Sequence, residues 1–259
     1  MTEKMKIWFQ GATDRVHMAP YISRVEAHLR ATLGPGTSFT FNSTTPPATT
    51  THALTEYRIG AAFVRGAVKA ARAGYDAMAI THFQDAALAE VKAVADMPVL
   101  GLGETTLLHA CTLGRKLGLV TINPAFVPWH EDQVMRYGLQ SRVVGVRAVD
   151  ASVKDFIDAF ASEKALRKLR PLWERECRAL LAAGADVIVP AGGLPMMLFG
   201  AEPGASIDGA PIVNGITLIA QSAEMAVRLR RQAGMFAPSR RSNYARPPER
   251  ALREFLGRK

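Results

Sequence analysis

The groups in this 259-residue chain that can move a proton near neutral pH are concentrated at one end of it. All six histidines lie in the first 130 residues: His17, His28, His52, His82, His109 and His130. His82 ends the apolar run DAMAITHF (76–83). A histidine at the tip of a parallel strand lies where such sheets bind ligands, although it could equally be a hydrogen-bonded cap. Glu104 follows PVLGLG (98–103) and opens the next helix. A carboxylate there is favourable by about 0.3–1 kcal/mol without any further role. His130 sits with Trp129, Glu131 and Asp132 in INPAFVPWHEDQ (122–133). Ordinary helix capping explains those prolines and acids but not the histidine beside the tryptophan. His28 reads as a surface residue of an amphipathic helix, and His109 as either a core histidine or a ligand.

If these tips converge, His82, Glu104, His130 and one of Glu131 or Asp132 make a set of two histidines and a carboxylate. Such a set suits zinc or manganese with a position left open for water. Without a metal, His82 is a general base with Glu104 orienting it. No HExxH motif supports the metal set, so it rests on convergence alone. Gly192 and Gly193, in AGGLPMM, precede a short helix. Their backbone N–H groups suit a carboxylate or a developing oxyanion, or serve only a tight turn. Gln10, Thr121, Asn123 and Asn214 stand at other strand tips as substrate contacts or as capping residues.

The elements that must position these residues alternate strand and helix, the mark of an α/β fold. Expected strands are KIWFQG (6–11), SFTFNS (38–43), DAMAITHF (76–83), PVLGLG (98–103), KLGLVTIN (116–123), RVVGVRAV (142–149), ADVIVPAG (185–192) and APIVNG (210–215). The clearest helices are 58–73, 164–183 and 216–232. The polar stretch 44–57, with its Pro pair, is a candidate lid.

One unit occurs twice. AGYDAMAITH at 73–82 is matched by AGADVIVPAG at 183–192, with Gly192 where His82 stands. Each copy continues through a helix to a Pro-initiated strand and a glycine. Two such units imply two pseudo-symmetric Rossmann-like or flavodoxin-like lobes with parallel sheets and a site between them. The expected boundaries are 1–103 plus 216–235 for lobe 1, 104–215 for lobe 2, and 236–259 for a basic tail.

Composition narrows the function classes. With 48% hydrophobic and 21% charged residues, the chain is an ordinary globular protein. Cys111 and Cys177 lack CxxC spacing, so neither a disulfide framework nor a zinc knuckle is expected. The N-terminus MTEKMKIWFQ has no apolar signal region. The apolar segment 179–201 is interrupted by Asp186, Pro190, Gly192, Gly193 and Pro195, which argues against a membrane span. Of the net charge of +9, the residues from Phe236 onward carry +5. No nucleic-acid-binding motif accompanies that tail, so it reads as solvated or subunit-packing. The expectation is a cytoplasmic homo-oligomer acting on a small molecule, with no nucleic-acid or membrane partner.

The runs GYDAMAITHFQDAALAEVK, PVLGLGETTLLHACTLGRKLGLVTI, AGADVIVPAGG and PIVNGITLIAQSAEMAV together resemble the aspartate/glutamate/hydantoin racemase superfamily over nearly the whole chain. The resemblance implies two α/β lobes and cofactor-independent proton transfer by two cysteines, one on each lobe. Those cysteines fall on His82 and Gly192, so both thiols are missing. Because two-base racemisation needs a proton carrier on each face of one carbon, the expectation shifts to a one-sided reaction. This is hydrolysis, or hydration and elimination, of a small cyclic amide or hydantoin-like acid by His82-activated water, with or without a divalent metal. A racemase or isomerase with another group opposite His82, and a non-catalytic binder of small acids, remain the alternatives.

Overall fold

A computed structural model describes residues 4–46, 52–235 and 238–257. In the first lobe, β1 (Met5–Gln10), α1 (Ala19–Thr32), β2 (Thr37–Asn42), α2 (Ala53–Arg72), β3 (Ala77–Ile80), α3 (Leu88–Val94) and β4 (Val99–Gly101) form a parallel sheet of order β2-β1-β3-β4 with its helices. The second lobe continues with α4 (Leu102–Ala110), β5 (Leu117–Thr121), α5 (Phe126–Arg136), β6 (Val143–Ala148), α6 (Val153–Ala161), α7 (Glu163–Ala182), β7 (Val187–Ala191) and α8 (Gly193–Phe199). Its parallel sheet has the order β6-β5-β7. The two-residue strands β8 (Ser206–Ile207) and β9 (Ala210–Pro211) pair antiparallel. Then α9 (Gly215–Ala233) packs back on α1, α4, β3 and β4.

Side-chain alternation places the first sheet between two apolar layers. Ile7, Phe9, Ala77 and Ala79 enter the large core shared with α1, α9 and the second lobe. Trp8, Met78 and Ile80 enter a smaller core under α2 and α3. The strand expected at 210–215 is cut to β9 plus one bridge, Ile188 to Ile212. Pro211 has no N–H for a ladder, and Asn214 turns the chain into α9 by accepting from Ile216 N and Thr217 N.

The repeated unit has a physical explanation. In both copies the helix stops at a glycine in the left-handed region, Gly74 (φ 70°) or Gly184 (φ 95°). The aspartate that follows accepts backbone N–H groups at the start of the central strand. Asp76 takes Lys6 N at 2.8 Å; Asp186 takes Arg115 N at 2.9 Å and Lys116 N at 2.8 Å. The motif thus locks helix, strand and neighbouring strand together in each lobe.

The described part of the tail lies on the first lobe. Arg240 donates to the carbonyls of Lys92, Ala93 and Ala95 at the end of α3. The short helix α10 (Glu249–Phe255) brings Phe255 under Arg65, 4.9 Å from its ring centroid. No helix among the described residues is long and apolar enough to cross a membrane. The segment 179–201 is the end of α7, then β7 and α8. Part of the candidate lid at 44–57, residues 47–51, lies outside the described residues.

Candidate active site

The C-terminal ends of the two sheets enclose a cavity of about 260 Å³. From the first lobe come Gly11, Thr13, Tyr21, Thr55, Glu56 and His82; from the second, Phe126, Ala191, Gly192, Gly193 and Leu194. His82 is brought there by β3, whose four residues are all buried. Its Nε2 lies 2.9 and 3.1 Å from the two carboxylate oxygens of Glu56. Phe63 packs on the imidazole edge at 6.0 Å.

Glu56 is the residue that sequence reasoning missed. It stands in the first turn of α2, which begins at Ala53 rather than at 58. Burial alone would raise its carboxyl, but the charge and hydrogen bond of His82 outweigh that and hold it below the usual carboxylate range. An ionised carboxylate can only accept, so Nε2 of His82 donates, and in the neutral form of the ring the lone pair is on Nδ1. An imidazole held this way by a carboxylate is an oriented acid–base group.

His130 is behind this site, not in it. It is fully buried, with its ring edge-on to Phe83 at 5.2 Å. Nδ1 donates to Gln133 Oε1, and Nε2 faces the Thr121 hydroxyl, both at 3.2 Å. Desolvation pushes its pKa down to about 4, only partly countered by the Gln133 hydrogen bond. It is therefore a neutral core imidazole. Gln133 also donates to Asp85, whose carboxylate is fully buried and takes Gly103 N, Glu104 N and the Tyr137 hydroxyl at 3.1, 2.6 and 2.6 Å. Desolvation raises Asp85 to about 6 despite these donors. A polar chain thus runs from Asp85 through Gln133 and His130 to Thr121 and the Ala191 carbonyl.

The proposed metal set is dispersed. Glu104 is held by Lys92, 2.6 Å from its Nζ, in a separate groove against α3 and α5. Glu131 and Asp132 are exposed, pointing away from the buried face of α5 on which His130 and Gln133 lie. Among the described residues, no three His, Cys, Asp or Glu side chains are grouped to hold a metal ion. Other polar tips also have structural partners. Gln10 is buried between Trp8 Nε1 and Asn42 Nδ2 at 3.0 and 2.8 Å. Asn123 accepts from Ala125 N before α5, and Asn214 caps α9. His28 is half-buried against the Thr217 hydroxyl at 2.7 Å rather than free on the surface, and His109 is exposed. Of the expected binding residues, Gly192 and Gly193 line the cavity. Gly192 adopts φ 148°, a backbone that side chains resist.

The sequence aligns with curated relatives and the fold with solved structures. It is 30% identical to the hydantoin racemase of Rhizobium meliloti over 175 residues, 67% of each chain. It is also 30% identical to the hydantoin racemase of Pseudomonas sp. strain NS671 over 159 residues, an alignment spanning 60% of each chain. The fold superposes on allantoin racemase from Klebsiella pneumoniae with a TM-score of 0.77, at 20% identity and 95% coverage of both chains. For allantoin racemase from Pseudomonas fluorescens the TM-score is 0.75, at 24% identity, covering 95% of this chain and 98% of that one. The expected metal-assisted hydrolase or lyase is overturned: these relatives are racemases, and the residues that would hold its metal do not meet. The family model for Asp/Glu/hydantoin racemases matches residues 19–223, and the chain belongs to that family.

Proposed function

We propose that this protein is a cofactor-independent isomerase that moves the proton α to a carbonyl in a hydantoin-like cyclic ureide. The observation that carries this reading is the His82–Glu56 pair on the wall of the inter-lobe cavity. Glu56 fixes the imidazole so that Nδ1 is the base. When Nδ1 takes the ring proton, the C–H electron pair moves onto the adjacent carbonyl as an enolate. Thr13 lines the same cavity with a buried hydroxyl that has no hydrogen-bond partner among the described residues, and it offers a donor to that oxygen. The names of the hydantoin and allantoin racemases support a ureide ring as substrate.

The test uses the separate enantiomers of 5-methylhydantoin in D₂O. The protein is expected to wash deuterium into C5 without opening the ring. His82→Ala is expected to slow that exchange by roughly 10²–10⁴-fold, the usual worth of a positioned acid–base group. Unchanged exchange in the folded variant refutes the assignment.

A further inference from the structure

The two walls of the cavity differ in their capacity to carry protons. His82 stands on the β3 side. On the β7 side the lining is Ala191, Gly192, Gly193 and Leu194, none of which has a side chain that exchanges protons. The space there is filled from elsewhere. Tyr21 of α1 reaches across, and its hydroxyl lies against Gly193 where a β-carbon at that residue would have to sit. Its ring is held by Phe160 of α6, centroids 5.4 Å apart, and the residue is 4% exposed. No hydrogen bond from another described residue occupies this hydroxyl. Asp14, the other titratable group near this end, already accepts Val16 N and His17 N at 2.8 and 2.9 Å.

We propose that Tyr21 is the second proton carrier of the isomerase, exchanging a proton with the face of the substrate ring opposite the one that His82 serves. This rests on the isomerase reading above and completes it. In one direction His82 Nδ1 takes the ring proton and the enolate carbon takes the proton of Tyr21 Oη. One C–H bond breaks, another forms on the other face, and imidazolium and phenolate remain. In the reverse direction that phenolate takes the proton and the imidazolium returns one. After a single passage, proton transfer through water restores the pair, so no oxidant or cofactor enters the balance. Burial alone raises the phenol above its ordinary range, which keeps it in the donor form until substrate arrives.

The test is Tyr21→Phe with each enantiomer of 5-methylhydantoin in D₂O. Interconversion is expected to fall at least roughly 100-fold. Exchange at C5 is expected to survive, with retention, for the one enantiomer whose hydrogen faces His82. That surviving half-reaction also shows that the variant is folded. Gly193→Ala, which displaces the hydroxyl without removing it, is expected to give the same one-sided loss. Exchange of both enantiomers at the wild-type rate in Tyr21→Phe overturns the proposal. So does equal loss of both in a variant that melts normally, or a one-sided loss produced by Asp14→Asn instead. A wild-type protein that exchanges neither enantiomer overturns the isomerase reading itself.

Discussion

Glu56 Oε2 lies 2.9 Å from Nε2 of His82, and the two residues are 26 positions apart on different elements. The contact joins the first turn of α2 to the tip of β3. Glu56→Gln should therefore leave the imidazole in place but without a charged partner. We expect exchange of the hydantoin proton to drop roughly 100-fold, and the melting temperature to fall at neutral pH, where the ionised carboxylate contributes stability. The acid side gives a separate check. The folded-state pKa of Glu56 is depressed, so its contribution to stability is present above the unfolded value and lost as pH falls through the folded one. The Gln variant should lose less stability than the parent on acidification through that window.

His130 and Asp85 should oppose one another. His130 titrates at about 4 when folded against an ordinary 6.5, so between those values the unfolded chain binds the extra proton. Its contribution is lost as pH falls through that window, by roughly 3 kcal/mol in all. Asp85 titrates at about 6 when folded against 3.8, so the folded chain binds the proton and stability falls as pH rises between those values, by roughly 3 kcal/mol. In the parent protein the two slopes oppose one another between pH 4 and about 6. Urea midpoints across that range should fall with acidification in Asp85→Asn and rise with it in His130→Gln. Parallel profiles in all three proteins would show that neither group is neutral and buried in the way described.

Glu104→Gln should cost stability rather than activity. Its Lys92 partner has a side chain only 10% exposed and would be left without a counter-charge, a loss of about 1–3 kcal/mol. Melting should shift downward while hydantoin exchange stays within a few-fold of the parent. A large fall in exchange with no change in melting would return Glu104 to the site.

Arg240→Ala should loosen α3 alone. The guanidinium ties the carbonyls of Lys92, Ala93 and Ala95 and contacts Asp96, so amide hydrogen exchange in 88–95 should accelerate. Unaltered protection there would mean that the tail merely rests on the surface.

The two sheets were legible because their central strands are largely apolar runs, and because Ala-Gly-x-Asp has one structural job in each lobe. The site was only half legible. His82 and the glycine pair sit on strand tips, which topology places at the cleft. Glu56 lies in a polar stretch that reads as loop, and nothing local marks a helix already begun at Ala53. Tyr21 is equally hidden, since an aromatic on the apolar face of α1 looks like core; only the missing β-carbon of Gly193 gives its hydroxyl a place at the cleft. His130 misled for the converse reason. Its spacing from Gln133 and Val134 marks the inner face of α5, a stronger signal than its neighbour Trp129.

Neither sulfhydryl of the chain borders the cavity. Cys177 is buried in α7, where desolvation pushes its thiol well above the ordinary range, and Cys111 ends α4. The proposed centre, an imidazole, a carboxylate and a phenol, reacts with peroxide and iodoacetamide far more slowly than a low-pKa thiolate does. Activity that rests on the proposed pair should therefore persist under oxidant doses that silence an enzyme dependent on a thiolate.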